Sequence, residues 1–430
     1  MTIATRHPSY RLCGVTSSRA LLTDPRAWIA PYVVLWIALA FLPLPANDLD
    51  RVFWPSAKVA LGGHPLLVYS VRQNGYPNAN GPVALIPLTA VGLVVRSLGW
   101  LDAPYARRAA AFALLSLLVL LMARESLAAV ERLRGRRIDG FPRLLSYATF
   151  GLAPPIWLSV VGYGHIEQPI EVWFLLIAVR LMDRNWIYRS GIAFGLAVLS
   201  RSSAVLLSIP FALASLSRSP AIAARLFAAV AITCVAGILP FYLADKADVS
   251  YSLFTYRGGL PVGPGSIWSL TRDGPLAPLV QHWDIAAVVA AAVVTNLWLA
   301  TRRGGLSEAR LFAAMSLTSA SFALLAKTVW PYYFFEAFVL ATIWVAGTWR
   351  QEDGIARLVM APIAISMLAI VAEITSPYGG LAPAPVRVEG VAMFFLLGLL
   401  VVWTIWEAGR TTSAPSASFA ADSSSAPRSP

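Results

Sequence analysis

Apolar residues follow one another along this chain in long blocks, with short polar stretches between them. The blocks fall near 27–44, 82–98, 109–123, 144–162, 166–182, 187–200, 203–216, 223–243, 284–300, 310–326, 331–347, 357–373 and 388–406. Most run for about 15 to 22 residues, close to the ~20 that a helix needs to cross a hydrocarbon core. Period-two alternation in pieces of ~10 residues, the mark of a transmembrane barrel, is absent. The pattern predicts an all-α polytopic membrane protein with about 11–13 transmembrane helices.

Composition agrees. The 430 residues are 57% hydrophobic and 13% charged, with a mean hydropathy of +0.65, whereas about a quarter of an ordinary soluble domain is charged. A soluble globular protein is excluded. The net charge of +12 would suggest nucleic acid in a soluble chain, but here the arginines sit between apolar blocks, where the positive-inside rule expects them. No nucleic-acid partner is expected. Lysine occurs only at 58, 246 and 327, and the other basic residues are all arginine. Cys13 lies in a basic tail and Cys234 inside an apolar block, a spacing that suits neither a disulfide nor a structural zinc.

Residues 1–26 carry Arg6, Arg11, Arg19 and Arg26 against one acid, Asp24. The apolar run that follows is too long for a removable signal peptide and lacks its small-residue cleavage site, so residues 27–44 are read as an anchor and the N-terminus as cytoplasmic. The segment 407–430, Ser/Ala/Pro-rich from Thr411 on, cannot bury enough surface to order itself. Loops 124–143, 180–189, 217–225, 301–310 and 349–357 hold most of the charge and are expected in the cytoplasm. The intervening stretches at Tyr163–Gln168, Arg201–Ser203, Asp245–Asp284, Lys327–Tyr333 and Thr375–Arg387 are expected outside. One count does not close: either 82–98 or 109–123 fails to cross, or the short pair 187–200 and 203–216 is broken or re-entrant.

Candidate chemistry gathers in the outer stretches. The first of them, 45–81, opens with Asn47-Asp48-Leu49-Asp50-Arg51, two carboxylates at the end of a membrane helix, where charge wants a task or a counter-ion. Asp50 has Arg51 and Lys58 as neighbouring counter-ions. Val52–Leu61 can lie as an amphipathic interfacial helix, and Tyr76-Pro77-Asn78-Ala79-Asn80-Gly81-Pro82 leads back into the membrane. Later come Gly162-Tyr163-Gly164-His165-Ile166-Glu167-Gln168-Pro169, then Gly191–Arg201 with Pro210 beyond it, and Lys327-Thr328-Val329-Trp330-Pro331-Tyr332-Tyr333. Singly each has a bland reading: a turn with a solvated His, an aromatic belt, a snorkelling cation. Together they fall on one side of the membrane.

In that order the motifs resemble the GT-C superfamily of polytopic, lipid-linked-sugar glycosyltransferases, in particular the bacterial polyprenyl-phosphate-sugar-dependent branch with the DUF2029 or GT87 mannosyltransferases. The resemblance covers about residues 27–406, read as one GT-C-like transmembrane bundle with interfacial helices in its first outer loop. Asp48-Leu49-Asp50 is similar to the acidic motif that carries the family's catalytic carboxylate, and Tyr76–Pro82 to its Tyr-Pro-x-Pro-Pro stretch, with Asn-Gly-Pro in place of the paired prolines. Gly164-His165 looks like the family's Gly-His loop, Arg201 stands where Lys is common, and Lys327–Tyr333 resembles the late basic-x-x-x-Pro-Tyr-Tyr segment.

The resemblance implies an inverting transfer of a sugar, mannose by analogy, from a polyprenyl-phosphate donor to an extracytoplasmic glycan or glycolipid acceptor in the plasma membrane. Such a transfer needs a base for the acceptor hydroxyl and a positive site for the leaving phosphate. Asp48, or in second place Asp50, suits the base. Arg201 and Lys327 suit the donor phosphate. His165, Glu167, Gln168, Tyr76, Asn78, Tyr332 and Tyr333 suit the sugar and acceptor. A divalent metal is left open, since the Asp pair beside Glu167 and His165 could hold one, although no closed ligand spacing supports it. The loop 245–283, with Tyr251, Phe254, Tyr256, Arg257, Trp268 and His282, reads as an acceptor-side cover or as an interfacial loop. A lipid-linked-sugar flippase or transporter and a polysaccharide polymerase are the competing readings; a transporter would show internal repeats or paired broken helices.

Overall fold

The computed structural model describes residues 24–41, 47–73, 76–263, 266, 268, 275–301, 306–329 and 331–348. The predicted blocks at 357–373 and 388–406, the basic stretch before Asp24 and the tail from 407 lie outside them. The protein is all-helical: the one strand pairing among the described residues is a short antiparallel rung, β1 (Arg72–Gln73) with β2 (Tyr76–Pro77).

A 3₁₀ turn, Pro25–Trp28, capped by Asp24, leads into α1 (Ile29–Leu39). The helix expected over Val52–Leu61 forms after it, as a π-turn over Leu49–Phe53 running into α2 (Trp54–Leu61). Next come a 3₁₀ turn, Pro82–Ala84, and α3 (Leu85–Ser97). In α4 (Pro104–Arg134) the predicted block 109–123 is only the middle. Its flanks are charged and so ended the apolar run, yet Ala, Leu, Glu and Arg are good helix formers and carry the helix on. Gly135 ends it in the left-handed conformation at φ 63°. The block 144–162 is divided into α5 (Phe141–Leu152), α6 (Pro154–Trp157) and a π-turn, Leu158–Gly162. The break falls at Ala153, where Pro154 and Pro155 supply no N–H to continue the ladder.

The remaining helices follow the pattern closely. They are α7 (Glu167–Asp183), α8 (Ile187–Ser200), a 3₁₀ run Ser202–Leu207 into α9 (Ser208–Leu216), and α10 (Pro220–Ala244). After α10 come α11 (Lys246–Ser250), a π-turn Tyr251–Thr255, α12 (Tyr256–Gly259), α13 (Ala277–Thr301), α14 (Glu308–Leu325), a 3₁₀ turn Pro331–Tyr333 and α15 (Phe334–Thr348). Among the described residues α4, α10 and α13 are long and apolar enough to cross a membrane. Small residues let α8 and α10 approach closely: a Cβ on Gly191 would lie 2.4 Å from the Leu226 carbonyl oxygen. The far face of α10 turns Ile232, Val235, Leu239 and Leu243 outward, as lipid contact requires.

Contacts join the loops into two groups. In one, Arg132 pairs with Glu308 at 2.9 Å and Arg180 with Glu125 at 3.4 Å. There too Arg218 donates to the Met182 carbonyl and Arg134 to the Ala346 carbonyl. In the other, the start of the first loop meets Tyr163–His165. The helix α3 is held by contacts at both of its ends. It begins where Gly81 packs on Leu199, and Arg96 in its last turn donates to the Leu61 carbonyl at 2.8 Å. The residues just after it return to the same loop, Asp102 to Lys58 at 2.9 Å and Arg108 to Asp50 at 2.7 Å.

Candidate active site

The acidic start of the first loop is stitched to the turn before α7 by its backbone. Asn47 Nδ2 donates to the Val161 carbonyl, and the Asp48 N–H donates to the Tyr163 carbonyl at 3.0 Å. Gly164 is in the left-handed region at φ 74°, and a Cβ there would meet Leu49 N at 2.6 Å and Asn47 Oδ1 at 2.8 Å. Only glycine fits that approach. The join carries Asp48 to His165: Asp48 Oδ2 lies 3.4 Å from His165 Nε2. On the other side of the ring His165 Nδ1 is 2.5 Å from Glu167 Oε1. Glu167 is a pure acceptor when ionised, so this contact places the ring proton on Nδ1 and leaves Nε2 to face Asp48.

Exposure separates the members of this carboxylate–imidazole–carboxylate chain. The Asp48 side chain keeps 45% of its surface open, against 5% for His165 and 1% for Glu167. Only Asp48 can meet a substrate; the other two stand behind it. Although open on one side, Asp48 is hemmed in by protein on the others, and this loss of hydration raises its carboxyl pKa above the usual aspartate value. His165 and Arg51 oppose that shift, and Glu167 adds to it.

Asp50, two residues on, turns away. It pairs with Arg108 at 2.7 Å and Arg107 at 3.8 Å, at the start of α4, rather than with Arg51 or Lys58. Among the described residues no group of three His, Cys, Asp or Glu side chains is arranged to hold a metal ion. Asp48 and Glu167 sit on opposite nitrogens of one imidazole, and Asp50 is taken by arginines, so these groups do not converge on one ligand position.

Aromatic rings close over the site. Tyr332 lies over His165 with centroids 3.7 Å apart, Tyr163 is 5.1 Å from Tyr332, and Gln168 Nε2 donates to the Tyr332 carbonyl at 2.8 Å. Tyr76 is exposed, with its ring 6.5 Å from that of Tyr256. Burial raises the Tyr256 phenol pKa, and Tyr76, Tyr333 and Asp48 add to the shift. Asn78 is fully buried; its Oδ1 accepts from the Asn80 N–H while its Nδ2 is without a partner among the described residues.

The two predicted phosphate cations have other partners. The Lys327 ammonium donates to the Gly258 carbonyl at 2.7 Å and the Gln281 carbonyl at 2.8 Å. Its backbone N–H donates to Asp284. Arg201 is 2% exposed, 3.5 Å from Glu171 and 3.9 Å from Glu336, with its guanidinium 5.3 Å from the centre of the Tyr333 ring. Glu171 and Glu336 were not among the residues singled out from the sequence. They stand inside apolar blocks, and an ionisable residue inside such a block is the signal that would have found them. Arg257, expected only as part of a cover, lies within electrostatic reach of Tyr332 and makes no side-chain hydrogen bond or ion pair among the described residues.

These features define an all-helical membrane protein with a half-open carboxylate at one end, backed by a buried imidazole–carboxylate pair. No protein-family model matches the chain, and no curated protein matches it in sequence. Among solved structures it is similar to the crystal structure of ArnT from Cupriavidus metallidurans bound to undecaprenyl phosphate, with 16% identity over 90% of this chain and 78% of that one and a TM-score of 0.46.

Proposed function

We propose that this protein is an inverting glycosyltransferase of the membrane that moves a sugar, mannose in preference, from a polyprenyl-phosphate donor to a glycan or glycolipid acceptor on the extracytoplasmic side. The observation that carries the reading is the Asp48–His165–Glu167 chain, with its one open carboxylate under a roof of tyrosines. The acceptor oxygen attacks the anomeric carbon as the bond from that carbon to the phosphate oxygen breaks, which inverts the centre. Asp48 takes the acceptor's proton and passes it to His165 Nε2. Glu167 stabilises the imidazolium that results.

The departing lipid phosphate needs a cation not already neutralised. Arg201 is enclosed by carboxylates, the Lys327 ammonium keeps its charge but has two of its three donors on carbonyls, and Arg257, without a side-chain hydrogen bond or ion pair among the described residues, can make a bidentate contact. In this reading Tyr76, Tyr256 and Tyr332 offer ring faces to a sugar. A flippase gains no support from the helices, since the buried acids Glu171 and Glu336 lie in the second turn of α7 and the first turn of α15, next to the site rather than midway along a span.

The test is product formation by the protein in nanodiscs given polyprenyl-phosphate mannose, then other lipid-linked sugars, with a mixed glycan acceptor. Transfer with release of polyprenyl phosphate, lost in a folded Asp48→Asn protein, is the expected result. Bilayer crossing of the lipid-linked sugar without transfer would establish the flippase instead.

A further inference from the structure

Behind the site lies a second cluster that the transfer chemistry does not use. Arg201 faces Glu171 of α7 and Glu336 of α15, both carboxylates approaching the same nitrogen, Nη1. Glu167, one turn before Glu171 on the same helix, adds a third carboxylate to its field, and the Tyr333 ring covers the guanidinium. From α14, Ser319 Oγ donates to Glu336 Oε1 at 2.6 Å. All of these groups are buried: Glu167 and Glu171 are at most 1% exposed, Glu336 5%.

One guanidinium cannot balance three carboxylates in an apolar interior, where each unpaired charge carries a heavy desolvation cost. Glu167 spends its charge on His165. Glu171 and Glu336 are left to one cation, crowded side by side on its Nη1 at 3.5 and 3.9 Å. Two carboxyl groups can hydrogen-bond directly only if one of them carries the proton, since an ionised carboxylate is an acceptor alone. Like-charged carboxylates forced together share a single proton for the same reason.

We propose that Glu171 and Glu336 share one proton beside Arg201, forming a neutral buried anchor that ties α7, α15 and the Arg201 turn together and fixes the Tyr332–Tyr333 turn over His165. The three tied elements carry His165 and Glu167, Tyr332 and Tyr333, and the turn next to Gly81. The pair touches no substrate and acts by positioning. Its consequence for transfer rests on the function proposed above; the shared proton itself rests on the geometry alone.

Infrared difference spectroscopy of the protein in nanodiscs near neutral pH, in light and heavy water, reads the proton directly. The expected result is a protonated-carboxyl C=O band that shifts in heavy water and is lost in both Glu171→Gln and Glu336→Gln. Each single variant should keep the wild-type melting temperature, because the Gln amide donates where the shared proton did. The double variant strips Arg201 of both partners and should melt lower and lose transfer. The proposal is overturned if neither single variant loses a protonated-carboxyl band, or if the single variants melt as low as the double, which would make both groups ionised partners of Arg201. Absence of transfer by the wild type with every donor would remove the proposed function and leave the infrared result standing.

Discussion

Gly81 lies so close to the last turn of α8 that a Cβ on it would sit 1.9 Å from the Leu199 carbonyl oxygen. Backbone cannot give way as the end of a flexible side chain can, so the contact fixes the Tyr76–Pro82 stretch, with Tyr76 and Asn78, beside the turn that carries Arg201. Gly81→Ala should therefore lower stability by about 1–3 kcal/mol, the usual cost of overpacking, and displace Tyr76 from Tyr256. Gly259→Ala, with nothing within 4 Å of its added Cβ, should stay within about 0.5 kcal/mol of wild type. Thermal melts of the two variants in detergent check the pair; equal melting temperatures would refute the tight approach.

The raised Asp48 carboxyl has consequences for activity and stability with opposite signs. As a base it must be ionised, so transfer should fall as pH drops through a value above the ~4 of an ordinary aspartate. For stability, a carboxyl whose folded pKa exceeds its unfolded one disfavours the fold once ionised. Its cost is absent below the unfolded pKa, grows as pH rises between the two values, and is constant above them. Asp48→Asn should thus melt higher than wild type near neutral pH, with the difference closing in acid, while transfer is lost. A variant that melts lower at neutral pH would show Asp48 to be a structural ion-pair partner instead.

Glu167 touches His165 and no open space, so its removal should act through the ring. In Glu167→Gln the amide presents a donor or an oxygen to Nδ1, and the imidazolium formed during transfer loses its counter-charge. General acid–base assistance is worth about 10²–10⁴-fold in rate, and a fall in kcat of about tenfold to a hundredfold with KM unchanged is expected. A rise in KM with kcat intact would place Glu167 in substrate binding, the role its sequence context first suggests.

The helical framework could be read from the apolar pattern because burial in lipid demands long apolar runs: 187–200 and 166–182 reappear almost unchanged as α8 and α7. Where runs and helices part company the cause is local. Charged flanks hid more than a full turn at each end of α4, and Pro154 with Pro155 broke a block that hydropathy alone joins. The motif residues were also visible, since Asp48, His165 and Tyr332 do meet. Their partners were not. Nothing in the spacing tells that Asp50 goes to Arg108, or that Arg201 is enclosed by Glu171 and Glu336, because an ion pair between distant elements leaves no period in the sequence.

Lys327 and Arg257 separate structure from binding most sharply. The Lys327 ammonium holds the Gly258 carbonyl, next in the chain to Arg257, and the Gln281 carbonyl of α13. It thereby holds the segment that carries Arg257. Each hydrogen bond from a charged donor is worth about 1.5–3 kcal/mol, so Lys327→Met, which leaves two carbonyls without their donor, should lower the melting temperature markedly and weaken transfer as a consequence. Arg257→Met removes no intramolecular bond among the described residues. It should leave stability within about 0.5 kcal/mol and weaken binding of the phosphate-bearing lipid by about tenfold to a hundredfold, the value of one charged contact. Melting curves with titrations of polyprenyl phosphate into nanodiscs check both variants. If Lys327→Met keeps its stability and loses lipid binding, the lysine releases its carbonyls to take the phosphate, and Arg257 is only part of the cover.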